Sequence, residues 1–339
     1  MITLEKILPY LLHQFSSEAD LVKAIGELST AFTTDRQNIS RYLSDPRLVS
    51  AYTAFYLTTN IPKLEAVLAW LTPEYREHLL QYQLIDVGAG PGTFSLAWKL
   101  AGGAGEPIMW ENAKLMREQA QRLLEGITHT KARFDNKVSG DEKRLLLFGH
   151  AANEMGVDEA WNYVKSASAS AVMFIEPGTP EVFSLMLKLR ERFIQEQWNI
   201  VYPCLNHSAC PMSGSDWCHQ FLDVRHAPDV ERLTQLAHKD RRNLPAIVHL
   251  YQRAAVTGRD ENIARIVRVH QPTKFSVEWD VCRPEGESLV QEHFQLMFKH
   301  IAKSELKNVL SLKSGALCAW ETDKMVESTR RVKLVVGKN

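Results

Sequence analysis

Apolar positions in the first 80 residues recur at helical spacing, at Ile7, Leu8, Leu11 and Leu12 and again at Leu21, Ala24, Ile25 and Leu28. One apolar stripe per helix predicts an N-terminal helical region that packs against something else. Asp45-Pro46 and Asn60-Ile-Pro62 punctuate it. From about residue 82 the pattern changes to short apolar runs alternating with helical stretches. Strands are predicted at Gln83–Val87, Ile108–Trp110, Arg144–Phe148, Ala171–Ile175 and Asn199–Tyr202, with helices such as Ala113–Leu124 and Glu181–Gln195 between them. Alternation of this kind implies a parallel sheet with right-handed crossovers, whose ligand lies at the carboxyl ends of the strands. Beyond it, Ala246–Gln252, Arg265–His270 and Phe275–Val281 read as strands and Ser288–Ile301 as a helix. The expected fold class is α/β, in three parts: residues 1–80 helical, 81–203 a Rossmann-like cofactor-binding domain, and 204–339 a strand-containing extension.

Composition narrows this picture only a little. Hydrophobic content of 45% and charged content of 24% are ordinary for a soluble chain of 339 residues. Forty basic residues balance forty acidic ones, so no global field draws nucleic acid and any basic surface is local. Residues 231–270 and 301–339 each hold eight Lys or Arg against four acids, which suits either an RNA surface or a solvated face. Glu5 stands early in a start that lacks a basic leader, and no apolar stretch approaches the ~20 residues of a bilayer span. The expectation is a soluble cytoplasmic monomer with reduced cysteines.

Candidate chemistry begins at Leu84-Ile-Asp86-Val-Gly88-Ala-Gly90-Pro-Gly92-Thr, an apolar run ending in an acid and then a glycine-spaced turn before an amphipathic helix. Such a turn lets backbone approach a ligand and presents free N–H groups at the helix start. Glycines at every second position resemble motif I of class I S-adenosylmethionine methyltransferases more than the dinucleotide pattern. Glu111 ends the next strand, where a carboxylate either caps the helix near Ala113 or accepts the ribose hydroxyls of the cofactor; strand-end placement favours the second role. Phe148-Gly149-His150, at the end of the strand that starts at Arg144, is expected to border the methyl-donor pocket. Candidate cofactor residues are thus Asp86, Gly88, Gly90, Gly92, Glu111 and Phe148. No catalytic base is evident, since His150-Ala-Ala-Asn153-Glu154-Met155 stands where many amino-methylating enzymes carry Asn or Asp followed by Pro-Pro and an aromatic.

Three of only five cysteines fall within fifteen residues, Cys204, Cys210 and Cys218, and Cys282 follows a predicted strand. Thiolates gathered on one loop point to a metal, with Cys282 as fourth ligand. Spacings of five and seven residues leave an iron–sulfur cluster and zinc both open, the latter with His207, His219 or His226 near enough in sequence to complete a site. Cys318 reads as core.

Together these residues resemble the methyltransferase-like assembly factors of the small ribosomal subunit, the family named for mitochondrial small-subunit protein twenty-two. The resemblance rests on Asp86-Val-Gly-Ala-Gly-Pro-Gly92, Ala152-Asn-Glu-Met155, Phe174-Ile-Glu176-Pro-Gly178-Thr-Pro180, the stretch from Tyr202-Pro-Cys204 to Asp216-Trp-Cys218-His219, and Cys282. It implies a class I methyltransferase sheet, S-adenosylmethionine as ligand, and a [4Fe-4S] cluster on Cys204, Cys210, Cys218 and Cys282. It further implies work on the small ribosomal subunit and its rRNA during ribosome assembly, as a methyltransferase or as a silent relative of one. Competing expectations are a methyltransferase of a small molecule or protein with a structural zinc, and a non-catalytic RNA-binding scaffold. Arg241, Arg242, Arg265 and Arg268 are the basic residues expected to face RNA.

Overall fold

Four strands form where the apolar runs placed them: β1 (Gln83–Val87), β2 (Ile108–Trp110), β3 (Arg144–Gly149) and β4 (Ala171–Pro177). All pair in parallel, in the order β2-β1-β3-β4. Their side chains are almost wholly buried, as strands covered on both faces require. Because β1 has β2 on one side and β3 on the other, chain direction across the sheet reverses at β1. Ligand crevices form at such switch points.

The computed structural model describes residues 1–34, 42–135, 143–212, 216–255 and 262–335. Its compact units do not follow the three expected segments. One unit holds Met1–Ile175 with Leu222–Leu244, the other Glu176–Phe221 with Pro245–Asn339. The N-terminal helices are not a separate domain, because they are stitched to the helix Lys114–Thr128 by polar contacts that apolar periodicity does not encode. The buried Gln119 accepts from Leu12 N–H at 3.0 Å and donates to Tyr10 O at 3.0 Å. Residues 222–244 join the same unit, with Asp229 Oδ2 accepting from Leu4 N–H at 2.7 Å. The helix Thr58–Leu68 also runs through Pro62, expected to break it, and follows a π-helical turn over Thr53–Leu57. A π-turn inside a helix marks functional positions more often than chance. No described helix is long and apolar enough to cross a membrane.

In the second unit β7 (Pro245–Gln252) pairs antiparallel with both β5 (Asn199–Tyr202) and β6 (Gln220–Phe221). The remaining strands close a barrel: β8 (Ile263–Val269), β9 (Ser276–Glu285), β10 (Ser288–Met297), β11 (Leu317–Val326) and β12 (Thr329–Val335). β10 occupies most of the stretch expected to be helical. Its alternation of Phe294 and Leu296 with polar neighbours is strand period, and the two-residue turn at Gly286 (φ 58°) locks it to β9 through ten register pairs. Ile266, Val277, Trp279, Val281, Phe294 and Trp320 fill the interior.

Circuit order around the barrel is β8-β9-β10-β12-β11, with β10 and β12 parallel and the helix Leu306–Leu310 before β11. That is the Greek-key order of the oligonucleotide/oligosaccharide-binding barrel. The hydropathy does not announce it, because the apolar residues of β11 stand at its two ends around polar Glu321–Lys324: Cys318 and Trp320 are its buried side chains.

Candidate functional site

After β1 the chain turns through Gly88, Gly90 and Gly92, all at positive φ (64°, 54° and 82°), into the helix Thr93–Leu100. Only Gly adopts this run of left-handed residues without strain. The three do different jobs. A Cβ on Gly88 would stand 2.8 Å from Ala151 Cβ, so that glycine permits close packing. A Cβ on Gly90 would meet nothing within 4 Å, so the space above it is open to a ligand.

Asp86 braces the turn from below. Only 1% exposed, it accepts from Ser95 N–H at 2.9 Å and Ser95 Oγ–H at 2.8 Å, tying the end of β1 to the first turn of the helix. Burial pushes its carboxyl up to about 7 against the opposing pull of those hydrogen bonds. Glu111 fastens the turn: Oε1 accepts from Ala113 N–H at 2.7 Å, at the start of the next helix, while Oε2 accepts from Gly90 N–H at 2.9 Å. It thereby links the ends of β1 and β2 beside the open space. Phe148 was expected at the pocket edge. Its ring is wholly buried and stacked 4.7 Å from Phe174, a core position dictated by its inward register on β3.

Sequence reasoning set His150 at the end of β3 but missed Lys63, which joins it there. His150, at φ 59°, lies 2.9 Å (Nε2) from Lys63 Nζ and stacks on Phe94. Burial first, then Lys63, holds its imidazole well below the ordinary range, so it is neutral at physiological pH. Arg241 lies over the Tyr56 ring at 5.5 Å and reaches Asn60 Oδ1 at 3.4 Å, which removes it from the expected RNA face. The only advance signal was the polar content, Tyr52, Tyr56, Asn60 and Lys63, of an otherwise apolar helical stretch.

In the second unit Cys204, Cys210, Cys218 and Cys282 line one cavity of about 30 Å³, with Phe183, Leu187, Met212 and Leu289 forming apolar wall. Ser213–Ser215 of the connecting loop lie outside the described residues. Burial raises the Cys210 and Cys282 thiols and pushes Cys218 to about 12, with Cys204 adding to each. As uncharged thiols they waste two buried cations. Arg190 is 2% exposed and donates through Nε to Cys204 Sγ at 3.1 Å and through Nη2 to Ser208 O at 2.6 Å. Arg265, 4% exposed, donates to Pro203 O and Gly315 O, each at 2.6 Å, and stacks on Tyr202; expected at an RNA surface, it belongs to this cavity instead. No carboxylate salt-bridges either guanidinium among the described residues. Four thiolates around a zinc ion, or around a four-iron cluster in its dicationic state, leave a net dianion, which two buried arginines neutralise.

The histidines considered for zinc are otherwise engaged. His207 Nε2 accepts from Ile200 N–H at 3.3 Å, His219 Nδ1 faces Trp217 O at 3.2 Å, and His226, in the other unit, faces Thr59 O at 3.2 Å. Cys318 lies in the barrel core, as expected, its sulfur 3.6 Å from Ala264 O. Arg268 is half exposed and paired with Asp216, and Arg242 is paired with Asp240.

The Glu176-Pro-Gly178-Thr-Pro180 string also gains a physical account. Thr179 Oγ1 caps the helix Pro180–Gln195, which carries Arg190 into the cavity. Gly178 touches β7 so closely that a Cβ would lie 2.6 Å from Pro245.

A glycine turn at the switch point of a parallel sheet, joined in one chain to a four-thiol cavity and a five-stranded Greek-key barrel, defines a methyltransferase-like protein with an appended barrel. Over residues 46–296 the chain matches the model of the family Mitochondrial small ribosomal subunit Rsm22, and it belongs to that family. No curated protein matches it. Solved structures similar to it include the magnesium protoporphyrin IX methyltransferase of Synechocystis PCC 6803 with bound SAM, 10% identical over 68% of this chain and 97% of that one, TM-score 0.36. A SAM-dependent methyltransferase of Thiobacillus denitrificans with S-adenosyl-L-homocysteine is 15% identical over 57% and 99%, TM-score 0.32. The fold assignment stands on strand order and the glycine turn rather than on these likenesses.

Proposed function

We propose that this chain is an S-adenosylmethionine-binding, iron–sulfur-containing, methyltransferase-like factor that acts on the small ribosomal subunit or its rRNA. The observation that carries the reading is the convergence of three cysteines of one loop and Cys282 of β9 on one cavity with two buried arginines that no carboxylate salt-bridges among the described residues. The open space at Gly90 supports a bound cofactor in the other unit.

In the first unit, the backbone of the turn and the start of helix Thr93–Leu100 would receive the carboxylate end of S-adenosylmethionine, and Glu111 its ribose hydroxyls. When bound, the cofactor supplies an electrophilic methyl on sulfur. This chain's residues do the rest: Asp86 holds the turn, and burial together with Lys63 keeps the His150 imidazole neutral at the end of β3. Whether methyl leaves for an acceptor depends on what that crevice admits.

In the second unit the cluster would be structural. Cys204, Cys210 and Cys218 would anchor a loop too poor in apolar residues to order itself, and Cys282 would tie it to β9. The barrel offers the RNA-binding elements of its fold, the β9–β10 face and the β8–β9 loop. That loop carries Phe275, 65% exposed, with Lys274 Nζ 5.8 Å from its ring, an aromatic platform with an adjacent cation.

Anaerobic purification with metal analysis tests the centre of this reading. Brown protein with about four iron and four sulfide per chain supports it. Colourless protein with a single zinc refutes the cluster and leaves the structural-zinc alternative standing. Co-sedimentation with small subunits, or its absence, decides the partner separately.

A further inference from the structure

The barrel carries a second group of metal-type ligands, away from the cysteines in chemistry and held on three adjacent strands. His270 follows β8, Asp280 lies on β9 and His293 on β10, where His293 is the register partner of Asp280. One ligand atom of each falls within 4.8 Å of the others, and all three residues are half-buried. Alternation along β9 and β10 puts Trp279 and Phe294 in the core and these polar neighbours outside, so the group is a surface feature fixed by a rigid sheet.

Hydrogen bonding alone accounts poorly for the arrangement. His270 Nε2 lies 3.0 Å from Asp280 Oδ2, yet the angle makes no hydrogen bond, and the buried nitrogen has no other partner among the described residues. A nitrogen and a carboxylate oxygen that close and not aimed at each other are placed as two ligands aimed at a common third point. Two ligands about 2.0 Å from a tetrahedral ion stand roughly 3.3 Å apart, close to the 3.0 Å between His270 Nε2 and Asp280 Oδ2. The 2.8 Å gap from His293 Nδ1 to Asp280 Oδ1 is shorter and fits the same set after slight opening.

Two further observations point the same way. His293 turns its other nitrogen, Nε2, toward Glu278 Oε2 at 3.3 Å, the carboxylate–histidine arrangement that orients a ligating imidazole. Glu278 is itself fixed, since Gln295 Nε2 and Ser276 Oγ donate to Oε1 at 2.8 and 2.9 Å. In addition, no Lys or Arg salt-bridges Asp280 or Glu278 among the described residues, so a half-buried pair of carboxylates lacks a permanent counter-charge.

We propose that His270, Asp280 and His293 bind a zinc-class divalent ion, with Glu278 orienting His293 and water in the fourth position. The ion clamps β8, β9 and β10 at the root of the loop that carries Lys274 and Phe275. The proposal rests on the barrel alone and stands whether or not the cysteines hold a cluster.

The test uses the full chain, purified anaerobically so that the thiol cavity keeps what it holds, and titrated with Co2+ as probe. We expect one equivalent bound with d–d absorption but no sulfur-to-cobalt charge transfer, displaced by Zn2+. The variants His270→Ala and His293→Ala should lose that signal while their circular dichroism matches the parent. Glu278→Gln removes no ligand and keeps the site readable if the alanine variants fold poorly; its affinity should fall about 10- to 100-fold. Folded parent protein that binds no Co2+, binding with thiolate charge transfer only, or unchanged affinity in His293→Ala or Glu278→Gln would each overturn the assignment.

Discussion

Replacing Asp86 with Asn should flatten the pH dependence of stability of the first unit. In the folded chain Asp86 is raised from 3.8 to about 7, first by burial, while Ser95 holds it in place. A raised carboxyl means that the folded state keeps a proton that the unfolded chain gives up. Its contribution is therefore full below about pH 4, declines as pH rises toward 7, and is level above that. Roughly three pKa units at about 1.4 kcal/mol each make the loss up to about 4 kcal/mol. Asn is close in shape, neutral at every pH, and able to accept from Ser95 through Oδ1. Urea unfolding of both proteins at pH 4, 5, 6, 7 and 8 should give midpoints that lie closest at pH 4 and furthest apart at pH 8, with the Asn variant the more stable there. The difference between the two proteins isolates Asp86 from other titrating groups. Parallel curves across the range would refute the claim that Asp86 is held protonated by burial, and the Asn variant losing stability equally at every pH would show that the charge itself is needed.

Three other outcomes are expected. Gly90→Val should abolish S-adenosylmethionine binding in calorimetry, because the side chain enters open space above the turn; left-handed strain should add only about 1–2 kcal/mol of destabilisation. Arg190→Met, or a Cys→Ser change at Cys204, Cys210, Cys218 or Cys282, should remove visible absorption from anaerobically purified protein, whereas Cys318→Ser should spare it; colour retained in Arg190→Met would deny the charge-balance argument. Phe275→Ala and Lys274→Glu should weaken binding to single-stranded small-subunit RNA, the first by about 1–3 kcal/mol, and affinity should fall steeply with salt in filter-binding assays.

The sequence by itself determined the parallel strands, the glycine turn and the four clustered thiols. Each of these is written locally: β1 to β4 as continuous apolar runs, the turn as glycines that only a left-handed backbone requires, and the thiols as rare residues at close spacing. Partnership was not local. Ser288–Met297 reads as helix or strand until β9 is beside it, since the pairing of Phe294 with Trp279 decides which period is buried. β11 has its apolar residues at its two ends and β12 opens on Thr-Arg-Arg, so neither shows a full strand period, and it is closure onto β8 and β10 that makes them strands. The same holds at the sites. Arg265 and Arg241 looked like surface charge because charge usually is, and only tertiary packing put one beside the thiols and the other over Tyr56. His270, Asp280 and His293, separated by ten and thirteen positions in the chain, become neighbours because antiparallel register converts sequence distance into contact across strands.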